Sequence, residues 1–268
     1  ISVLHPDYGV TANGVADDSA GIALARAAAE SSGKLLVYPP GRTYVQGVVV
    51  AAAALRVWIM PGATVKVKAN ATAVSNRRGA FVFSYSNSML ICDGIIDGNR
   101  ANQGKAAYLA AGGDAVETIH AVYAIGTSGS PLTRCYFKIR GENWVGMGLY
   151  AIYLNHSHVE SIEMDASGGL AHYINCSHTT AGPAKGLTID HDQWLIFPHL
   201  FDLTSNSYCK FGEVSVADHA GNGTTGTSTT QSAWVSGITA IDNKHTTLEV
   251  GAMLWRDDAT LQKSLAQS

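Results

Sequence analysis

Proline is scarce, cysteine scarcer, and no apolar run is long enough to cross a membrane. The 268 residues include 7 prolines and 4 cysteines. The longest apolar run, Val48 to Leu55, falls well short of the roughly 20 residues a spanning helix needs. Cys92, Cys135, Cys176 and Cys209 are spaced too widely and unevenly for a zinc site or a Cys-x-x-Cys redox pair. Each sits in or beside a predicted strand, which makes small buried thiols the expectation, with disulfides left open. Positive charge is not in excess. Eighteen Lys and Arg against 21 Asp and Glu give a formal charge of -3, which argues against a nucleic-acid partner. There is no phosphate-binding glycine loop and no Ser-His-Asp set, and no cofactor or metal is expected. No signal peptide is recognisable, and the start at Ile1 is read as that of a mature or excised fragment.

The chain does contain period-2 alternation and internal similarity. Tyr153-Leu154-Asn155-His156-Ser157-His158 is answered by Tyr173-Ile174-Asn175-Cys176-Ser177-His178. Weaker echoes begin at Tyr123, Leu203 and Ile241. Short alternating segments follow each, including Phe137-Lys138-Ile139-Arg140, Ile162-Glu163-Met164-Asp165 and Leu187-Thr188-Ile189-Asp190. Strand, turn and strand alternate without long amphipathic helices between them, which excludes a doubly wound α/β fold. The predicted fold is all-β, a right-handed single-stranded parallel β-helix with a short N-terminal capping α-helix. Its expected parts are a capping segment with the first rung over 1-45, the coil over 46-256, and a tail over 257-268 that closes nothing and leaves room for a continuation. Asn155 and Asn175 are expected to stack as a ladder or to hold turns. His156, His158 and His178 are expected to be ladder or turn histidines, a metal cluster requiring all three to face outward together.

The capping segment carries a resemblance. Asp7-Tyr8-Gly9-Val10, Asn13 to Ser19, an Ala-rich helix to Glu30, and Tyr38-Pro39-Pro40-Gly41-Arg42-Thr43-Tyr44 resemble the N-terminal signature of the pectate-lyase-like superfamily, which includes polygalacturonases and bacteriophage tailspike depolymerases. Asp93-Gly94-Ile95-Ile96-Asp97-Gly98-Asn99 resembles a glycine-aspartate turn common in early rungs of such proteins. On physical grounds Asp17, Asp18 or Ser19 caps the helix, whose Ile22, Leu24, Ala25, Ala28 and Ala29 form its packing face. Asp93 and Asp97 are read as turn builders. Ala101 to His120 and Gly221 to Ser232 are read as excursions from the coil.

Aligning the alternating segments predicts an outward acidic stripe of Glu142, Glu163, Asp165, Asp190 and Asp192, with Ile139, Ile162, Met164 and Ile189 facing inward. Carboxylates one strand apart lie about 5 Å from each other and two strands apart about 9-10 Å. Those separations match retaining and inverting glycosidases, and crowding raises the pKa of one member. Arg140, Trp144, His191 and Trp194 flank the stripe as substrate-binding candidates, the tryptophans as stacking surfaces for sugar rings. Solvation and turn closure account for such acids equally well.

Hydrolysis of a bacterial capsule, exopolysaccharide or O-antigen is the leading expectation. The resemblance to tailspikes further implies a homotrimer on a virion tail or in the extracellular medium. Two alternatives stand. One is a lyase with His191 or a tyrosine as base and Arg140 neutralising a uronate; the other is a non-catalytic glycan-binding or structural segment. Ile189-Asp190-His191 resembles part of the Trp-Ile-Asp-His motif of pectate lyases, but Thr188 stands where that motif has Trp. The polygalacturonase motifs Asn-Thr-Asp, Gly-His-Gly and Arg-Ile-Lys are absent, and Lys138-Ile139-Arg140 runs in the reverse order.

Overall fold

The computed structural model describes residues 1-69, 71, 78-99, 102-103, 119-144, 148-165, 170-174, 188-195, 199-204, 210-219, 238-241 and 247-255. Residues 78, 119, 164, 165 and all later ones are described by backbone alone. Asn175, Ser177, His178, Cys176, Cys209, most of Ala101 to His120, Gly221 to Ser232 and the tail after Trp255 lie outside the described residues.

Strands dominate, and they pair in parallel. A 12-stranded sheet follows the path Asn13–Asp17, Thr43–Gln46, Thr64–Val67, Ile95–Asp97, Tyr136–Glu142, His158–Asp165, Thr188–Leu195, Lys210–His219 and Thr247–Trp255, with Leu36–Tyr38, Arg56–Ile59 and Met89–Cys92 joined beside it. A 7-stranded sheet runs from Val49–Val50 through Arg78–Phe83, Ile119–Ile125, Leu149–Ile152, Leu170–Ile174 and His199–Thr204 to Ile238–Ile241. Parallel neighbours cannot be joined by a tight hairpin. The chain therefore visits one sheet and then the other before returning to the position next to where it began.

Alternation decides which face is buried. In Tyr136–Glu142 the residues Phe137, Ile139 and Gly141 are buried, while Tyr136, Lys138, Arg140 and Glu142 are not. Val57 with Ile59, and Val65 with Val67, repeat the pattern in earlier strands. The core between the sheets holds a run of rings: Tyr38 to Tyr44 at 5.3 Å, Tyr38 to Phe81 at 6.2 Å, Phe81 to Phe83 at 6.5 Å and Phe83 to Phe137 at 5.3 Å. The two Tyr38 contacts are edge-to-face, Phe81 and Phe83 stack, and Phe83 tilts against Phe137; edge contacts suit the aromatic quadrupole. The Tyr38 hydroxyl donates to Gln46 Oε1 at 2.7 Å, so its polar end is satisfied inside the core. Burial keeps the Cys92 thiol protonated, with a pKa pushed up to about 12, and both Cys92 and Cys135 are free and buried.

The one α-helix among the described residues, Ser19–Ser32, packs Ile22, Ala25 and Ala29 inward and stops at Gly33, whose φ of 64° is the left-handed conformation glycine tolerates. Leu24 is 58% exposed and does not join the packing face, contrary to its expected place there. The helix start also differs from expectation. Asp18 occupies the N-cap position, where its carbonyl accepts from the Ile22 N–H at 3.0 Å but its side chain makes no bond to the helix. Its buried carboxylate instead accepts from the backbone N–H groups of Thr11 at 2.8 Å, Ala12 at 3.2 Å and Val45 at 3.2 Å. Asp17, not Asp18, accepts from the Ser19 N–H at 3.0 Å. Asp18 thus ties the entering segment to Thr43–Gln46, the second strand of the sheet path. An Asp18→Asn variant turns one acceptor into a donor facing donors, and is expected to lose about 2 kcal/mol in urea unfolding. An unchanged midpoint would show that the three backbone donors find other partners.

Candidate functional site

The outward face of the 12-stranded sheet carries the charged residues in ordered columns, because parallel strands in register stack like positions about 4.8 Å apart. Arg140 pairs in register with Glu163, and Glu142 with Asp165. Glu142 also pairs with Asp97 on its other side. Three carboxylate residues, Asp97, Glu142 and Asp165, therefore occupy one register position on three successive strands. Asp97 and Glu142 are both half-exposed. Asp97 Oδ1 accepts from the Asn99 N–H at 2.7 Å and from Asn143 Nδ2 at 3.4 Å. Asn99 and Asn143, at φ 51° and 55°, turn the chain just beyond the two acids in the left-handed conformation asparagine adopts most readily after glycine. Asp97 belongs to the column as well as to its turn, and its Asp-Gly-Asn context concealed that.

One column away, Arg140 Nε lies 3.8 Å from Glu163 Oε2, with both side chains about half exposed. Solvent screens such a pair, so it orients the two groups more than it stabilises the fold. Further along the same strands a denser network appears. Lys138 Nζ donates to Asp93 Oδ1 at 2.8 Å and stands 3.5 Å from Glu160 Oε1. Trp58 Nε1 donates to Asp93 Oδ2 at 3.0 Å, and the Tyr136 hydroxyl donates to Glu160 Oε2. Partial burial pushes the Asp93 carboxyl up, but the bonds from Lys138 and Trp58 outweigh it and hold the group below the ordinary carboxylate range.

The remaining predicted site residues are placed otherwise. Asp192 shares its register position with Ile162, and Ile162 pairs with Ile139; both isoleucines are fully buried. Gln193 and Leu195, not Asp190 and Asp192, stand in register with Glu163 and Asp165. Asp190 falls between Ile189, which pairs with Val159, and His191, which pairs with Ser161. Trp194 pairs with Met164, in line with buried Gly141. The expected stripe is thus interrupted after Asp165. The pairing lies three residues further along the strand than the spacing of acids in the sequence suggests, an odd offset against a period of two.

The repeat that suggested the alignment has the same slip. Tyr173 pairs with Tyr150, not with Tyr153, and Tyr150-Ala151-Ile152 in turn pairs with Tyr123-Ala124-Ile125. Asn155 pairs with Thr133 in a separate two-stranded ladder. Ser157 helps hold the turn, since its hydroxyl accepts from the Cys135 N–H at 3.1 Å and donates to the Asn155 carbonyl at 2.9 Å. His158 stacks on Tyr136 with ring centroids 5.5 Å apart.

Trp144 is not a surface platform. It is fully buried, and its indole N–H donates to the Ile96 carbonyl at 3.0 Å. Gly98 makes room for it: a Cβ there would stand 2.8 Å from Trp144 Cδ2 and 2.7 Å from the Asn143 carbonyl oxygen. Two surface hollows lie elsewhere. One, of about 190 Å³, is lined by Ile22, Arg26, Gln46 and Val49 beside the helix; the other is lined by Asn13, Arg42 and Thr64. Neither takes in an acid of the column.

No family model matches the chain, and no curated protein matches it. Among solved structures, it is similar to a candidate glycosyl hydrolase from Parabacteroides merdae, at 14% identity and a TM-score of 0.46, over 95% of this chain and 97% of that one. It is also similar to the A-module of the mannuronan C-5 epimerase AlgE4 of Azotobacter vinelandii, at 15% identity and a TM-score of 0.44, over 95% of this chain and 70% of that one.

Proposed function

We infer that the chain is a right-handed parallel β-helix that hydrolyses glycosidic bonds of a bacterial surface polysaccharide, after the manner of the tailspike-type depolymerases its N-terminal segment resembles. The observation that carries this reading is the column Asp97, Glu142 and Asp165 on successive parallel strands. Adjacent members stand about 5 Å apart at the backbone, and a retaining mechanism needs carboxyl groups about 5 Å apart. In this reading Glu142 protonates the glycosidic oxygen while Asp165 attacks the anomeric carbon. Water, deprotonated by Glu142, then releases the sugar from Asp165 and restores both groups. Arg140 and Glu163, one column over, hydrogen-bond the substrate and set its orientation. Trp144 has no part in binding, and Asp190, Asp192, His191 and Trp194 stand outside the reacting column. A homotrimer and a virion-tail or extracellular location belong to the same reading.

The test is incubation of the purified protein with a panel of capsules, exopolysaccharides and O-antigens, followed by mass analysis. Fragments that each carry one added water support hydrolysis. Unsaturated fragments absorbing in the ultraviolet would replace it with β-elimination, and chains left intact after long incubation would refute cleavage altogether.

A further inference from the structure

The aromatic residues outside the acid column form a second feature of the same sheet face. Tyr136 and His158 are register partners on adjacent strands, with rings tilted only 25° from each other. Trp58 lies two strands before Lys138 at the next outward position: it pairs with Ile91, which pairs with Lys138. All three rings are half-buried, in contrast to Trp144, which is sunk in the core. Polar groups hold two of them in place. Asp93 fixes the Trp58 indole, Glu160 fixes the Tyr136 hydroxyl, and Lys138 bridges the two acids.

An exposed aromatic ring ordinarily needs no such anchoring. Here the charged groups bind each other and the ring edges, so the network is internally matched and fixes the rings before any ligand arrives. What a fixed, half-buried aromatic surface takes is a flat apolar face with polar edges, and the C–H face of a pyranose ring has that form. Tyr136 and His158 lie on the strands that carry Glu142 and Asp165, and Trp58 lies on Arg56–Ile59, which reaches Tyr136–Glu142 through Met89–Cys92. Tyr136 and Glu142 are both outward, six positions apart, which is about 20 Å at the rise of a strand.

We propose that Trp58, Tyr136 and His158 form a sugar-stacking subsite about 20 Å from the acid column, measured along the strand Tyr136–Glu142, binding an uncharged pyranose unit of the polymer whose cleavage is proposed above. The subsite rests on that reading only in the identity of the polymer; binding and cleavage are separable. Trp58→Leu and Tyr136→Leu keep apolar bulk and remove the aromatic face, while Trp58→Phe keeps a ring. The experiment measures KM and kcat of each full-length variant on the polysaccharide cleaved in the panel, with melting temperatures alongside. It also measures retention of each on the immobilised panel glycans. The expected result is a rise in KM of about tenfold for each Leu variant, kcat nearly unchanged, and most of the loss recovered in Trp58→Phe. If no glycan is cleaved, retention by the wild type that both Leu variants lose supports the subsite and disproves only the hydrolase reading. Folded Leu variants with wild-type KM or retention, or a wild type retained by no glycan, would overturn it.

Discussion

A Glu142→Gln protein is expected to cleave its polysaccharide about a thousandfold more slowly than the wild type, with a melting temperature unchanged within a few degrees. The substitution keeps the size of the side chain and removes its titratable proton and the negative charge of the ionised form. Glu142 is half-exposed and stands between Asp97 and Asp165 in register, so its loss breaks the acid pair on either side. Asp165→Asn is expected to match it if Asp165 is the nucleophile. Glu163→Gln should cost far less, since Glu163 pairs with Arg140 in the neighbouring column. Asp192→Asn should leave the rate near wild type, because its register partner is Ile162. Initial rates by reducing-end release distinguish these cases. A Glu142→Gln enzyme of full activity would remove the column from the mechanism.

Trp144→Ala is expected to destabilise the fold by about 4 kcal/mol while leaving the kcat and KM of the remaining folded protein close to wild type. The indole is fully buried, donates to Ile96 and fills the space left by the missing side chain of Gly98. Truncation loses the burial of the largest residue type and leaves a cavity and an unpaired carbonyl. Trp144→Phe keeps most of the volume and is expected to cost less than half as much. Urea midpoints with an unchanged m-value measure this. A variant of normal stability and lost glycan affinity would return Trp144 to the surface role first expected from its place beside the acids.

Which parts of this architecture can be seen in the linear sequence follows from which of them repeat. Alternation in Phe137 to Glu142 and Ile162 to Asp165 identifies outward and inward faces, and the register pairs Arg140 with Glu163 and Glu142 with Asp165 as that alternation placed them. The next strand is where inference from sequence fails. Between His158–Asp165 and Thr188–Leu195 the pairing runs unbroken from His158 with Thr188 to Asp165 with Leu195, so the offset comes from the length of chain between the two strands and not from a bulge. Coils of unequal length defeat residue matching, since Tyr153 to His158 is the better match to Tyr173 to His178 by residue type, yet the register pairs Tyr173 with Tyr150.

Other features were hidden because one residue type serves several purposes. Asp97, in an Asp-Gly-Asn turn, looks like a turn residue and is one, yet its register also puts it beside Glu142. Asp18 has the sequence context of a helix cap, and only the folded path brings Thr11, Ala12 and Val45 to its carboxylate. Trp144 follows an acid and an asparagine in the chain, but the turn at Asn143 carries it inward.

Disulfide trapping addresses the register itself. In a background with the four native cysteines replaced by serine, the pair Glu142→Cys with Asp165→Cys is compared with the pair Glu163→Cys with Asp190→Cys under mild oxidation, with linked peptides identified by mass spectrometry. Neighbouring strand positions lie within the span a disulfide bridges. The register predicts rapid, near-complete cross-linking of 142 to 165 and little of 163 to 190. Efficient linkage of 163 to 190 with none between 142 and 165 would contradict it.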